Sequence, residues 1–255
     1  MRQFKLYFSV LLLLASHLAQ ADDDFNWWAS MELGAAYMQN TDQTVVQATS
    51  VPHRPNIYVT DNVEDTAVLG VGLGYTFELA DDDDFFPSNR LGVYYDYYVP
   101  TNVSGHIEND HAVVGYIYTL QARSHSLWLN DQFDLFNWND IIPFIEGGIG
   151  VSFNSIYDYK ETPVLANLPA GHSRSAGFES NSDTSFAWRA GAGVNVVLPR
   201  GLKPFTLGLL YRYSDRGDIN TGPSETYPTV NKSLGTPLKS NDVLLSLTYS
   251  GFYDD

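Results

Sequence analysis

Asp65-Thr66-Ala67-Val68-Leu69-Gly70-Val71-Gly72-Leu73-Gly74-Tyr75-Thr76-Phe77-Glu78-Leu79 alternates almost without error. Ala67, Leu69, Val71, Leu73, Tyr75, Phe77 and Leu79 share one parity. Thr66, Gly70, Gly72, Gly74, Thr76 and Glu78 share the other, with Val68 the single apolar intruder. A period of two sends these sets to opposite faces of a sheet. Seven apolar residues on one face exceed an ordinary strand of about five or six residues. They suit a tilted strand crossing a bilayer, which takes about 9–11 residues. The small, polar face would then line the interior of a closed barrel, because in lipid only helices and closed barrels satisfy every backbone group.

The N-terminus reads as a secretory signal over residues 1–21. Arg2 and Lys5 supply the positive region, residues 6–18 the apolar core, and Ala19-Gln20-Ala21 the small-residue cleavage site. The expected mature domain is 22–255, opening on Asp22-Asp23-Asp24. Losing Arg2 and Lys5 moves the formal charge from −16 to −18, with 30 acidic residues in the chain. So acidic a chain is a poor nucleic-acid binder, since phosphates would repel it. Cys is absent, which excludes disulfides, thiol nucleophiles and thiolate metal sites. No stretch after the signal approaches the ~18 apolar residues of a membrane helix.

The same alternation recurs along the chain. A first strand spans 27–38, with Trp27, Ala29, Met31, Leu33, Ala35 and Tyr37 facing out. A third covers 90–99, with Leu91, Val93, Tyr95, Tyr97 and Val99 out and Arg90, Tyr94, Asp96 and Tyr98 in. The fourth lies within 112–136, where Asp131 interrupts the apolar face and a bulge or a shorter strand is open. Strands over 141–153, 184–198 and 205–214, and one marked by Val243, Leu245, Leu247 and Tyr249, complete a count of eight. Ten remains an alternative if parts of the long loops pair. Connections at 40–64, 100–110, 154–183 and 215–240 are expected as loops, against short turns at 80–89, 137–140 and 199–204. Short turns on one rim and long loops on the other are the asymmetry of outer-membrane barrels. A soluble lipocalin-like barrel is the weaker alternative. The expected fold is all-β: an eight-stranded antiparallel up-and-down transmembrane β-barrel with short periplasmic turns and long extracellular loops.

The chain resembles the outer-membrane β-barrel surface proteins, the group akin to the OmpA transmembrane domain and the Opa-type, porin-like antigens. The resemblance rests on Gly70-Val71-Gly72-Leu73-Gly74-Tyr75, Ser126-Leu127-Trp128-Leu129-Asn130 and Pro143-Phe144-Ile145-Glu146-Gly147-Gly148-Ile149-Gly150. It also rests on Phe186-Ala187-Trp188-Arg189-Ala190-Gly191-Ala192-Gly193-Val194 and Tyr211-Arg212-Tyr213. It implies a Gram-negative outer-membrane location and speaks to fold more than to function.

Inward parity gathers Glu32, Asp96 and Glu146 with Arg189 and Arg212, and places Glu78 and Arg90 near the periplasmic rim. An Arg facing lipid at the bilayer midplane would cost about 2–4 kcal/mol, so the inward assignment is physically sensible. These charges read as a salt-bridged plug, with a gate as the functional alternative. The run 81–84 could attract Ca²⁺ but lacks the spaced ligands of a binding loop, so it reads as solvated acid and no metal or cofactor is expected. Trp27, Trp28, Trp128, Trp138, Phe85 and Phe86 read as an interfacial aromatic girdle. His53, His106, His111, His125 and His172 are scattered, and in His125-Ser126 the side chains point to opposite faces, so no nucleophile and base pair is expected. The expected role is a monomeric, non-enzymatic surface protein serving envelope structure, adhesion or antigenic contact. Its partners would be outer-membrane lipid, lipopolysaccharide and a host or cell-surface ligand met by the loops. A small channel is the alternative, and an outer-membrane lipid A-modifying enzyme comes third.

Overall fold

Period-two patterning becomes ten strand segments in the computed structural model, which describes residues 26–39, 43–46, 56–79, 85–108, 114–164, 177–199, 205–224 and 233–250. They are β1 (Trp27–Met38), β2 (Gln43–Val46), β3 (Asn56–Val63), β4 (Thr66–Glu78), β5 (Ser88–Glu108), β6 (Val114–Asp134), β7 (Ile141–Pro163), β8 (Asn181–Val197), β9 (Phe205–Asn220) and β10 (Gly235–Ser250). Eight of them close a ring in the order β1-β10-β9-β8-β7-β6-β5-β4 and back to β1. Every pairing is antiparallel. β2 and β3 form a hairpin on the β5 wall, where β3 pairs with 103–108 above the 88–98 stretch that holds β4.

Several strands outrun the expectation. β5 continues through 100–108, β7 through 154–163 and β9 through 215–220, all assigned to loops by the sequence pattern. β3 lies inside the 40–64 loop, and β10 begins at 235. At about 3.3 Å per residue, strands of 21–23 residues are roughly twice what a bilayer requires. The barrel therefore stands well clear of the membrane on its long-loop side. The opposite rim is tight. Asn139 and Asp140, with φ of 50° and 67°, form a two-residue turn closed by reciprocal Trp138–Ile141 hydrogen bonds, the primed geometry that matches strand twist.

The two zones have opposite polarity. In the lower zone Met31, Leu33, Leu73, Ile149, Leu209 and Leu245 are exposed, while Glu32, Asp96, Arg189, Arg212 and Asp242 are buried. In the upper zone Tyr58, Val103, Tyr118, Leu120, Ile156, Phe178, Ile219 and Leu238 form an apolar core inside the barrel. A strict alternation could not deliver both. β-Bulges reset the parity: between Tyr98 and Thr101 β5 advances three residues while β6 advances two. Tyr98 and Thr101 are consequently both inward, and Val103 and Ile107 follow Thr101. Pro100, which has no N–H for a ladder, sits in that bulge. Comparable shifts fall on β7 beside Asp158, whose φ is 55°, and on β9 beside Gly217, whose φ is 71°.

Two smaller expectations change. Asp131 causes no bulge; the ladder runs unbroken from Asn89↔Phe133 to Leu91↔Asp131 and beyond, with Asn89 Nδ2 donating to Asp131. Trp28 and Trp128 are 1% exposed inside the lumen rather than in the girdle, as their inward parity requires. Trp27, Trp138, Phe85 and Phe86 remain on the outer surface.

Candidate functional site

Four strands supply the carboxylates of the central lumen group, and β8 and β9 supply its guanidinium groups. Arg189 on β8 reaches Asp96 on β5, Nη1 to Oδ2 at 2.8 Å, and its Nε donates to Asn130 Oδ1 at 2.8 Å. Its guanidinium also lies 4.8 Å from the Tyr94 ring and 5.0 Å from Trp128, which holds the flat cation between aromatic faces. Arg212 on β9 is the hub. Nη1 donates to Glu32 Oε2 at 3.0 Å and Nη2 to Asp96 Oδ2 at 3.2 Å, with Glu146 Oε1 at 3.9 Å. Glu146 Oε2 accepts from Asn130 Nδ2 at 3.2 Å. The geometry thus brings Glu32, Asp96, Glu146, Arg189 and Arg212 into one group spanning the ring.

Residues the sequence pattern missed complete it. Asp242 Oδ2 lies 3.6 Å from Arg212 Nε and accepts from Tyr98 Oη and Ser214 Oγ, each at 2.9 Å; Ser240 donates to its other oxygen at 2.7 Å. Arg216 lies over the Tyr98 ring at 3.6 Å and donates to Ser240 Oγ at 3.3 Å. Arg216 falls in the expected 215–240 loop and Asp242 between that loop and Val243, the first residue marking the last strand, although counting by twos from Arg212 and Ser214, or back from Leu244, reaches them. At the periplasmic rim Arg90 pairs with Asp134, Nη2 to Oδ2 at 3.2 Å, and Ser88 donates to the same oxygen. Glu78 is exposed and accepts from Asn26 at 3.4 Å, apart from the lumen pairs.

Inward glycines give these side chains room. A Cβ on Gly72 would press on the Tyr94 ring, and one on Gly70 would approach Asp96 Oδ1 and Glu32. Large residues fill the space that small neighbours leave, so the eight-stranded interior is filled by side chains.

The histidines do not converge on a nucleophile. His106, on the outer face of β5 above the membrane zone, has Nδ1 2.8 Å from Asp61 on β3 and Nε2 3.1 Å from Glu108 Oε1. The hydrogen bond to Asp61 is the chief reason its pKa rises above the ordinary imidazole value, with Glu108 adding to it and burial opposing. His125 stacks edge-on with Tyr95 on the outer wall, while Ser126 faces the lumen. His53, His111, His172 and the aspartates at 22–24 and 81–84 lie outside the described residues. Among the described residues, no three His, Asp or Glu side chains are placed to hold a metal ion.

A closed ring with an apolar outer belt and a charged, buried interior is inside-out for a soluble protein and right for lipid. The chain folds as a transmembrane β-barrel of the outer-membrane type. No family model and no curated protein matches it. Among solved structures it is similar to Neisserial surface protein A, at 12% identity over 88% of this chain and 96% of that one, with a TM-score of 0.42. It is also similar to the outer membrane protein OprG from Pseudomonas aeruginosa, at 14% identity over 92% and 99%, TM-score 0.48. A third is Ail, the attachment invasion locus protein of Yersinia pestis, solved with the heparin analogue sucrose octasulfate, at 14% identity over 88% and 99%, TM-score 0.35.

Proposed function

We propose that this barrel is a closed, monomeric surface protein that serves envelope structure and presents its long loops to a host or cell-surface ligand, without conducting and without catalysing a reaction. One observation carries the reading: the interior is blocked twice in series. The ion-paired group around Arg212 fills the membrane zone, and the apolar core around Tyr58, Tyr118 and Phe178 fills the barrel above it. An ion would have to part buried salt bridges and then cross an apolar layer, either of which costs several kcal/mol. The strands that outrun the membrane carry the segments between them away from the lipid surface, toward any ligand outside. Export through the N-terminal signal and a mature start at Asp22 belong to the same proposal.

The test is planar-bilayer recording with refolded mature protein. Silence, or rare brief openings, is the expected result. Steady unitary conductance in the wild type would overturn the plug and install the channel reading. Proteases added to intact cells should cleave within 47–55, 165–176 or 225–232; cleavage confined to 80–84 would reverse the assigned orientation.

A further inference from the structure

Acidic residues outnumber basic ones 30 to 14 in this chain. Among the described basic residues, Arg90, Arg189, Arg212 and Lys239 pair with carboxylates and Arg216 is buried in the lumen. Arg123 and Lys160 differ. Both are exposed, and neither forms an ion pair with a described carboxylate. They stand on one wall: β6 turns Arg123, Gln121 and Thr119 outward, and β7 sets Ser155, Tyr157 and Lys160 opposite them in that order. Lys160 shares parity with the buried Ile156, and plain alternation would aim its ammonium into the apolar upper core. The register shift beside Asp158 turns it out instead. The residues below fix the height. Leu127 and Val151 belong to the exposed apolar belt. Above them His125 lies against Phe153 and Tyr95, with ring centroids 5.3 and 6.0 Å apart, the aromatic composition of a membrane interface. Arg123 is the next outward residue of β6, about 7 Å beyond His125 along the strand, and the level of Lys160 is about 13 Å further. Arg123 lies over the Tyr157 ring at 5.9 Å, which steadies the guanidinium plane and leaves its N–H edges to the surroundings. Asp158 is the single described carboxylate exposed on this stretch, whereas the β3–β5 wall carries Asp61, Glu64 and Glu108 against His106.

We propose that the β6–β7 wall binds the anionic head of lipopolysaccharide. Arg123 takes a lipid A phosphate at the interface, where its planar fork suits two phosphate oxygens. Lys160 takes an acidic group of the core sugars above. Gln121 and Thr119, between the two levels, offer hydrogen bonds to sugar hydroxyls. The acidic β3–β5 wall repels the same head unless divalent cations bridge the two. The site rests on the outer-membrane reading and adds an occupied face to it: lipid held on one side of the ring without divalent cations.

The experiment uses refolded mature protein in neutral detergent, first checked for faster migration in unboiled gels. Absence of that migration would overturn the barrel reading itself, and the site with it, before any lipid is added. Rough lipopolysaccharide, carrying lipid A and the inner core, is then titrated in excess EDTA, and bound lipid is read by native mass spectrometry. Saturable binding of one molecule per barrel is the expected result. Arg123→Gln and Lys160→Gln, both exposed substitutions, should each weaken it about tenfold, the scale of one hydrogen-bonded charge contact. Lys239→Gln, on the β9–β10 wall, should leave it unchanged. Lipopolysaccharide stripped of its phosphates should bind the wild type as weakly as the intact lipid binds Arg123→Gln. No saturable binding in EDTA overturns the site. So does a loss in Lys239→Gln equal to that in Arg123→Gln, which would be non-specific attraction, or an affinity that survives both substitutions together.

Discussion

At the scale of single residues, Arg212 concentrates the most consequence. Among the described residues it alone lies within 4 Å of four carboxylates, from β1, β5, β7 and β10, and it is 0% exposed. Replacing it by Ala strands Glu32 in a packed interior and leaves Asp96 to Arg189 alone, and breaking a buried pair in this way costs about 3–5 kcal/mol. Urea titration of Arg212→Ala in detergent should show a lower midpoint, with a loss of unfolding free energy of that size. Lys239→Ala is the control, because its 3.7 Å pair with Asp215 is partly exposed and such pairs contribute about 0–1 kcal/mol. Equal shifts for the two would mean that the lumen is wetter than its packing indicates. Gly74 tests the packing itself. A Cβ there would meet the Leu91 carbonyl oxygen and, at 2.6 Å, the Trp28 ring. Gly74→Ala should therefore cost about 1–3 kcal/mol, the usual range for overpacking, read by the same titration. The lumen residues were legible from sequence because an inward charge is the one parity lipid allows; Asp242 and Arg216 were not, because Ser, Asn and Lys around them dilute the apolar contrast that marks a strand.

At the scale of elements, the bulges decide what the upper barrel contains. Through Tyr98 the inward residues of β5 are even-numbered; from Thr101 they are odd. Deleting Pro100 would remove the extra residue, so that Thr101 follows Val99 in plain alternation and Thr101, Val103 and Ile107 stay inward. That variant should therefore keep both zones and show no new cleavage within 101–108 of protein in detergent; new cleavage there would mean that the bend at the bulge, and not its parity alone, holds the upper zone. Alternation was readable only up to such points. A bulge leaves no apolar signal of its own, so 100–108 reads as loop although every residue of it is in strand. The β3–β5 junction carries a pH dependence as well. Both His106 nitrogens donate, to Asp61 and Glu108, only when the ring is protonated. Its folded pKa is raised above the unfolded value of about 6.5. The tether therefore contributes fully below about pH 6.5 and fades as pH rises through the raised folded value. Amide hydrogen exchange around Val59 and His106 should be slower at pH 5.5 than at pH 8.5, after correction for intrinsic rates, and His106→Gln should remove the difference.

Across the whole molecule, two cores of opposite polarity are stacked in one continuous ring, and each is matched to its solvent. The lower core can be polar because lipid outside supplies no competing water; the upper core must be apolar because water surrounds it. Burial of Tyr58, Tyr118, Ile156 and Phe178 gives the upper barrel the hydrophobic stabilisation of a soluble domain, whereas the lower barrel depends on its closed hydrogen-bonded ladder and on lipid. Their stabilities should consequently respond to different agents. Low urea should first loosen the upper zone, which is in contact with water and whose β2–β3 hairpin is held on one side by β5. The ring in lipid should persist until much higher denaturant, keeping the faster migration of a folded barrel in unboiled detergent gels. Tyrosine fluorescence, dominated above the membrane by Tyr58, Tyr116, Tyr118 and Tyr159, would then change at a lower urea concentration than gel mobility does. A single coincident transition for both probes would show instead that the β5, β6 and β7 strands, which run without interruption through both zones, couple them into one cooperative unit.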